Sequence, residues 1–149
     1  MEEFDIAIIG GGPAGIMAAI AASADLNIVL LEKNSSLGSK LLITGGGRCN
    51  ITNEKPIKKL LNSFHDKNFL KHSFYTFTNE MLLDLFRNRG LDFIVEDNNR
   101  VFPETEKSQD ILAILKYYLK DITIKYNYEV SDIKKEDNTK EIYLRVLGF

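Results

Sequence analysis

Apolar residues in the first part of the chain form two short continuous runs with a helical segment between them. The runs are residues 6–9 and 28–31, and apolar stretches of this kind predict buried strands over about residues 4–9 and 27–31. Residues 13–24 predict a helix, because Pro13 suits a first helical turn, where its missing N–H has no partner to lose. The chain is therefore predicted to open with a β-α-β unit.

The middle of the chain carries weaker patterns, one clear helix and one hairpin. The weak patterns cover residues 40–44, helical or extended, and the helical segments 56–61 and 69–74. Residues 79–89 predict a better helix, with Thr78 as its N-cap and Gly90 after its last turn. Residues 93–95 and 100–102 flank a polar Asp-Asn-Asn turn, which predicts a β-hairpin.

The last part of the chain combines a helix with strand-like alternation. Residues 111–119 carry an apolar stripe at helical spacing, which predicts a helix packed against the core. Residues 122–130 alternate between apolar and polar, as in one continuous strand. The polar stretch 136–139 separates them from a second alternating segment, 142–146, and the two predict an antiparallel ribbon.

Together these elements predict an α/β, Rossmann-like fold with a mixed insertion after the second strand, over about residues 54–106, and an antiparallel ribbon at the C-terminus. Three parallel strands are fewer than a doubly wound sheet generally has. We therefore expect residues 1–149 to be the incomplete, amino-terminal part of one domain, with a substrate or cap domain and a closing segment absent. An unfinished sheet edge also predicts a partner chain or self-association.

Composition and charge exclude several other classes of protein. The net charge is −2 and the lysines are dispersed, so neither favours nucleic acid as a partner. No apolar stretch is long enough to span a membrane. The N-terminus is acidic and the first apolar run ends at three glycines, so we expect no signal peptide here. A single cysteine excludes an internal disulfide and fits a reducing compartment. We expect a cytoplasmic protein.

The segment from Ile6 to Gly15, IAIIGGGPAG, carries the first candidate chemistry. Gly10 allows a tight turn, Gly12 lets the backbone approach a pyrophosphate, and Gly15 lets the helix pack on the strand. The free N–H groups and positive dipole end of that helix would face the phosphates. Strand, glycines and helix thus predict a dinucleotide site.

Glu32 ends the second apolar run, 22 positions after Gly10. A carboxylate at this place in a β-α-β unit accepts hydrogen bonds from a ribose, and we expect it to accept both ribose hydroxyls. An acid there disfavours a 2′-phosphate. FAD or NAD, rather than NADP, is therefore the predicted class of nucleotide.

A second glycine-rich segment covers residues 44–53, TGGGRCNITN. Consecutive glycines let main chain lie against a flat or anionic ligand, and Arg48 adds a planar cation suited to a phosphate or an electron-rich ring. The alternative is a surface loop with a solvated arginine. Cys49 is interpreted as a packing residue, and His65 and His72 as surface residues rather than metal ligands.

Residues 38–53, GSKLLITGGGRCNITN, and the element Arg100-Val-Phe-Pro103 support a resemblance to a known family. They resemble bacterial NAD(P)/FAD-dependent oxidoreductases of the aminoacetone-oxidase-like or bile-acid-reductase-like kind, and the resemblance runs from about residue 4 to residue 146. Such proteins are similar to glutathione-reductase-type flavoproteins, which bind FAD in extended form across a Rossmann-like sheet. The resemblance implies FAD as the cofactor.

The resemblance also implies roles for individual residues, in three groups along the FAD molecule. Those implied at the pyrophosphate are Gly10, Gly12, Pro13, Ala14 and Gly15. Those implied at the ribose and adenine are Glu32, Lys33 and the main chain of Val130. Those implied along the pyrophosphate and ribityl path toward the flavin are Lys40, Gly45, Gly46 and Arg48. Ser39 stands where the family frequently has arginine, which implies the loss of one phosphate contact. Ser108 stands where the family usually has a small apolar residue, so the start of the helix after Lys107 matches the family less closely.

The leading hypothesis is an FAD-binding oxidoreductase, or the FAD-binding portion of one, that moves a hydride or electrons through a flavin to an unknown small molecule, with a nicotinamide donor as a further partner. Two alternatives stay open: a truncated nucleotide-binding module without activity alone, and a fragment of a NAD-binding dehydrogenase. No catalytic residue is named, because the flavin carries the electron chemistry in such enzymes.

Overall fold

A computed structural model describes residues 2–22, 25–136 and 139–146. The helices are α1 (Pro13–Ala22), α2 (Ser39–Ile43), α3 (Ile57–Leu61), α4 (Lys67–Thr76), α5 (Asn79–Arg87) and α6 (Ser108–Tyr118). The strands are β1 (Ile6–Ile9), β2 (Ile28–Glu32), β3 (Thr52–Asn53), β4 (Phe93–Glu96), β5 (Arg100–Pro103), β6 (Thr123–Tyr126), β7 (Tyr128–Glu136) and β8 (Thr139–Val146). The chain divides into two compact units, one of residues 1–41 with 115–149 and one of residues 42–114.

The first unit contains a parallel sheet in the order β1-β2-β6. Strand β2 has a neighbour on each side and is buried along its whole length, with Leu30 fully inaccessible to solvent. Helix α1 follows β1 and buries Ile16 and Ala19 completely. A parallel pair of strands joined through a helix confirms the predicted β-α-β opening and the Rossmann-like class. The predicted end of α1, at residues 23–24, lies outside the described residues.

The prediction of one continuous strand over residues 122–130 is wrong. The segment divides into β6, which joins the parallel sheet, and β7, which pairs antiparallel with β8. Asn127 separates them with a φ of 62°, in the left-handed region that asparagine tolerates better than most residues. Alternation of apolar and polar residues continues through this kink, so the pattern does not reveal it. The predicted ribbon is confirmed, although its turn at residues 137–138 lies outside the described part of the chain.

The second unit contains an antiparallel sheet in the order β3-β5-β4. Strands β4 and β5 form the predicted hairpin, with Val95 opposite Val101. Phe86 of α5, Phe102 of β5 and Ile111 of α6 are buried, and the ring of Phe86 packs edge-on against that of Phe93 in β4, with centroids 6.0 Å apart. Helix α5 begins at its predicted cap, where the Thr78 hydroxyl accepts a hydrogen bond from the amide of Met81 at 3.2 Å.

Three further segments refine the sequence predictions. Residues 40–44, left open between helical and extended, are mostly helical in α2. Helix α4 is longer than residues 69–74 and begins after Asp66, whose carboxylate accepts from the Phe69 amide at 3.1 Å. The expected insertion, residues 54–106, falls within the unit formed by residues 42–114. Among the described residues, no helix is long and apolar enough to cross a membrane.

Candidate functional site

The turn between β1 and α1 brings main chain into close contact with itself. Gly10 ends the strand with a φ of 98°, and its amide donates to the carbonyl of Leu31 at 2.8 Å. At Gly15 a Cβ atom would overlap the carbonyl oxygen of Gly10. Glycine is therefore required at residue 15, because any side chain would push the helix away from the strand.

Gly12 differs from Gly15 in its surroundings, because a Cβ atom built there meets no atom of the protein within 4 Å. The next two residues, Pro13 and Ala14, are exposed at the first turn of α1. A helix N-terminus has amide groups without partners inside the helix and a positive dipole end, which together attract anions. Among the described residues, the space beside Gly12 is thus not filled by the chain, as the approach of a diphosphate to this turn would require.

The carboxylate of Glu32 lies against this same turn. Glu32 is only 6% exposed, and its Oε2 accepts a hydrogen bond from the Gly11 amide at 2.6 Å. Its Oε1 accepts from both the main-chain amide and the side-chain amide of Asn34, each at 2.7 Å. Three hydrogen bonds stabilise the charged form of a buried carboxylate, which would be costly without them. The structure therefore brings Glu32 and the glycine turn together.

The other residues implied for this unit are less enclosed. Lys33 follows β2 and is exposed, and Lys40 is exposed in the first turn of α2. Val130 is half-buried in β7, opposite Leu144 and beside an irregularity in the pairing. Their contacts with a nucleotide remain predictions.

The second glycine-rich segment lies in the other unit and forms a tight turn of 3-10 type, Thr44–Gly47. Gly45 and Gly46 have φ values of 57° and 68°, which glycine adopts easily. Cys49 also has a positive φ, 63°, and its amide donates to the carbonyl of Thr44 at 3.0 Å. A left-handed cysteine is uncommon, so this turn is held in place by its surroundings.

The guanidinium of Arg48 interacts with three side chains of that unit, two carboxylates and one aromatic ring. Its Nη1 donates to Glu96 at 2.6 Å and to Glu106 at 2.9 Å, and its Nη2 donates to Glu96 at 3.2 Å. The guanidinium lies 4.2 Å from the ring centroid of Phe102. Both carboxylates raise the pKa of Arg48 above its ordinary value. A solvated arginine is therefore not what the structure shows, and its predicted contact with FAD stays a prediction.

Cys49 is buried and carries no sign of an activated thiol. Burial raises its pKa above the ordinary value, although a hydrogen bond with Thr44 acts in the opposite direction. A raised pKa keeps the thiol protonated and unreactive near neutral pH. Among the described residues, no group of three or more His, Cys, Asp and Glu side chains could hold a metal ion.

We predict a pH dependence of stability from the pairing of Glu96 with Arg48. The hydrogen bonds from Arg48 lower the pKa of the Glu96 carboxyl below its ordinary value of 4.5 in the folded protein. The pairing therefore stabilises the fold above about pH 4.5 and is lost as pH falls through the lower, folded-state pKa. Glu96→Gln should unfold at a lower temperature than the wild type near pH 7, and this difference should shrink as the pH falls below about 4.5.

Thermal unfolding of both proteins across that pH range is the measurement. Glu104→Gln removes an exposed carboxylate from the same unit and serves as the control. A difference that stays constant with pH would contradict the pairing as its cause.

Sequence reasoning missed three residues that shape these two places. Asn34 holds Glu32, and an amide side chain two positions after a strand-terminal acid could have indicated it, because asparagine often bonds locally. Glu96 and Glu106 are 48 and 58 positions from Arg48, so local pattern gives no signal for them. Ser108, which departs from the family's pattern, is fully buried and donates to the carbonyl of Leu42 at 2.9 Å, which accounts for a polar residue there.

Comparison with known proteins decides the family. The family model described as the HI0933-like protein Rossmann domain matches residues 4–146. The chain belongs to this family. The expected resemblance and the expected Rossmann-like class of flavoproteins are thereby confirmed, and with them FAD as the cofactor class.

Two curated relatives are similar over most of the chain. It is 34% identical over 118 residues to a 3-dehydro-bile acid delta(4,6)-reductase of Clostridium scindens, covering 77% of this chain and 28% of that protein. It is 30% identical over 141 residues to a ribosomal RNA dihydrouridine synthase of Escherichia coli, covering 92% of this chain and 34% of that protein. The chain thus spans about a third of the length of the curated relatives it matches.

Solved structures show the same fold at low sequence identity. A flavocytochrome c3 fumarate reductase in its open conformation matches with a TM-score of 0.63 and 20% identity, covering 91% of this chain and 28% of that chain. Glycine oxidase from Geobacillus kaustophilus matches with a TM-score of 0.51 and 18% identity, covering 97% and 52%. At this identity the likeness establishes the fold alone.

Proposed function

We propose that this chain binds FAD and is the amino-terminal FAD-binding portion of a flavin-dependent oxidoreductase. The open space beside Gly12, next to the first turn of α1 and the buried carboxylate of Glu32, is the observation that carries the proposal. A diphosphate fits the amides of the helix N-terminus, and a ribose fits the carboxylate. The adenosine diphosphate half of FAD offers both groups at adjacent positions.

The chain's own part in this function is to bind and orient. Amides of the glycine turn would hold the pyrophosphate, Glu32 would accept from the ribose, and Lys33, Lys40 and Val130 would complete the adenosine end. FAD supplies the electron chemistry when it is bound, and the protein supplies position and electrostatics. Contacts of Gly45, Gly46 and Arg48 with FAD belong to this proposal as predictions from the family resemblance.

For the activity as a whole we propose reduction of a small organic molecule, with a nicotinamide donor as the source of electrons. The support is similarity to a protein named as a bile acid delta(4,6)-reductase, which is 34% identical over 77% of this chain. The chain covers only 28% of that relative, so the substrate-binding part is expected outside these 149 residues. A simple NAD-binding dehydrogenase is disfavoured, because it has no need of the TGGGRCN segment after the second strand.

Reconstitution of the purified chain with FAD tests the proposal. After removal of free FAD on a desalting column, we expect retained absorbance bands near ~370 and ~450 nm, which belong to the oxidised flavin itself. Addition of NADH or NADPH without oxygen should then bleach the band near ~450 nm if a nicotinamide donor is used by this portion of the protein. Complete loss of the flavin on the column, combined with retention of NAD by equilibrium dialysis, would favour the dehydrogenase alternative.

A further inference from the structure

The two oxygens of the Glu32 carboxylate have unequal surroundings. Each oxygen of a carboxylate has about two lone-pair positions. Oε1 already accepts from the main-chain and the side-chain amides of Asn34, both at 2.7 Å, so its two positions are filled. Among the described residues, Oε2 accepts from the Gly11 amide alone, at 2.6 Å, and has one position left. The Glu32 carboxylate therefore has one lone-pair position, on Oε2, that can accept a hydrogen bond from a ligand.

The carboxylate is also fixed in its orientation. Glu32 is 6% exposed, and short hydrogen bonds to an ionised group are among the stronger ones in proteins. Asn34 is held in turn by the main chain, since its carbonyl accepts from the amide of Asn127 at 3.2 Å. The side-chain donor of Asn34 must be its NH₂ group, because a carboxylate only accepts. Asn34 thus fixes the position of Oε1 through two hydrogen bonds, and its own main chain is fixed by the hydrogen bond from Asn127.

We propose that Asn34 is a specificity-determining positioning residue, which commits Glu32 to accept one ribose hydroxyl of the nucleotide, through Oε2, rather than both. This inference rests on the proposed function and corrects the expectation that Glu32 accepts both hydroxyls. Asn34 itself acts through Glu32. Removal of its side chain frees one position on Oε1, so the carboxylate becomes able to accept the second hydroxyl as well.

Titration calorimetry with three nucleotides tests this inference on the full 149-residue chain. The probes are ADP, 2′-deoxy-ADP and 3′-deoxy-ADP, which stand for the adenosine diphosphate half of FAD. For the wild type we expect one deoxy analogue to bind about tenfold or more weakly than ADP and the other to bind within about twofold, because a hydrogen bond to a charged group is lost in one case only.

Asn34→Ala provides the second arm. Asn34 is exposed, so the variant is expected to fold. The affinities for the two deoxy analogues should become more nearly equal, because both hydroxyls then reach the carboxylate. A purely structural role would weaken all three nucleotides by the same factor and leave their ratios unchanged. Asn27→Ala is the matched control, since Asn27 is an exposed asparagine of the same unit whose side chain donates to the Glu3 carbonyl.

The outcomes separate this inference from the proposed function. If the wild type binds ADP and both deoxy analogues lose the same amount of affinity, the inference is overturned and the dinucleotide site stands. If Asn34→Ala leaves the ratio of the two analogues at its wild-type value, the inference is also overturned. If the wild type binds none of the three nucleotides, the proposed function fails and takes the inference with it.

Discussion

Gly12→Val should abolish nucleotide binding while the protein stays folded. A Cβ at Gly12 meets no protein atom within 4 Å, so the fold has room for the new side chain. The bound diphosphate would occupy that same space and lose its contacts with the backbone amides. Two lost hydrogen bonds to a charged group, each about 1.5–3 kcal/mol, weaken binding by roughly a hundredfold or more. Calorimetric titration with ADP measures the loss, and thermal unfolding measures the stability.

Gly15→Ala is the informative contrast within the same turn. Its Cβ would overlap the Gly10 carbonyl oxygen, so the variant should lose stability by about 1–3 kcal/mol or more, as other overpacked sites do. The two glycines are therefore expected to separate a ligand role from a structural one. A Gly12→Val protein with wild-type affinity for ADP would remove the main reason for placing the diphosphate at this turn.

Glu32→Ala should weaken both the nucleotide complex and the protein itself. Loss of the ribose contact costs roughly 1–3 kcal/mol of binding free energy, as for other hydrogen bonds to a charged group. The Gly11 amide and the two amide groups of Asn34 lose their acceptor at the same time, and the buried Gly11 N–H alone costs about 1–3 kcal/mol if left unpaired. ADP titration and denaturant unfolding measure the two effects separately.

Asp5→Ala is the matched control for that variant. Asp5 lies in the same unit, and its carboxylate also accepts a main-chain hydrogen bond, from Asn27 at 2.8 Å, but it is exposed and precedes β1, at the opposite end of that strand from the glycine turn. It should leave ADP affinity unchanged. Equal loss of affinity in both variants would mean that Glu32 acts through general stability and makes no contact with the nucleotide.

The arrangement of Glu32 also bears on the choice of nucleotide. Its buried carboxylate already accepts from the Gly11 amide, so a negative charge lies directly at the edge of the turn. A 2′-phosphate placed there would meet like charge in a partly water-excluded setting, where repulsion is stronger than in bulk water. The preference for nucleotides with an unmodified ribose therefore stays a prediction, with the position of Glu32 as its physical reason.

Local pattern was sufficient for the elements that carry the site. The two apolar runs became β1 and β2, and the glycine spacing located the turn, because short buried strands and close backbone approach impose residue types directly. The hairpin around residue 98 and the Thr78 cap followed from turn and capping chemistry for the same reason.

Features that depend on distant partners or on one backbone angle could not be predicted in this way. Asn127 changes the direction of the chain without interrupting the alternation of apolar and polar residues. The loop sequence alone predicts that Arg48 is available to a ligand or to solvent. In the structure its guanidinium forms ion pairs with carboxylates from β4 and from the segment before α6. The spacing of residues in the sequence does not predict ion pairs between such distant positions. These ion pairs change how Arg48 of the TGGGRCN segment is interpreted.

That pairing gives Arg48 a function in the second unit that needs no ligand. Stacked on Phe102 and joined to Glu96, the guanidinium connects the glycine-rich turn with the β4–β5 hairpin. Arg100 adds a second cation, 3.6 Å from Glu96. These contacts explain why a segment rich in glycine keeps a defined shape.

The proposed function depends most on one interaction, the binding of a diphosphate by the amides of the turn between β1 and α1. A ¹H–¹⁵N correlation spectrum of the labelled chain, recorded during titration with ADP, tests this claim most directly. We expect the largest chemical-shift changes at the amides of Gly11, Gly12 and Gly15 and around Glu32, and we expect Gly12→Val to abolish them. Saturable changes centred elsewhere, with the amides of this turn unmoved, would contradict it.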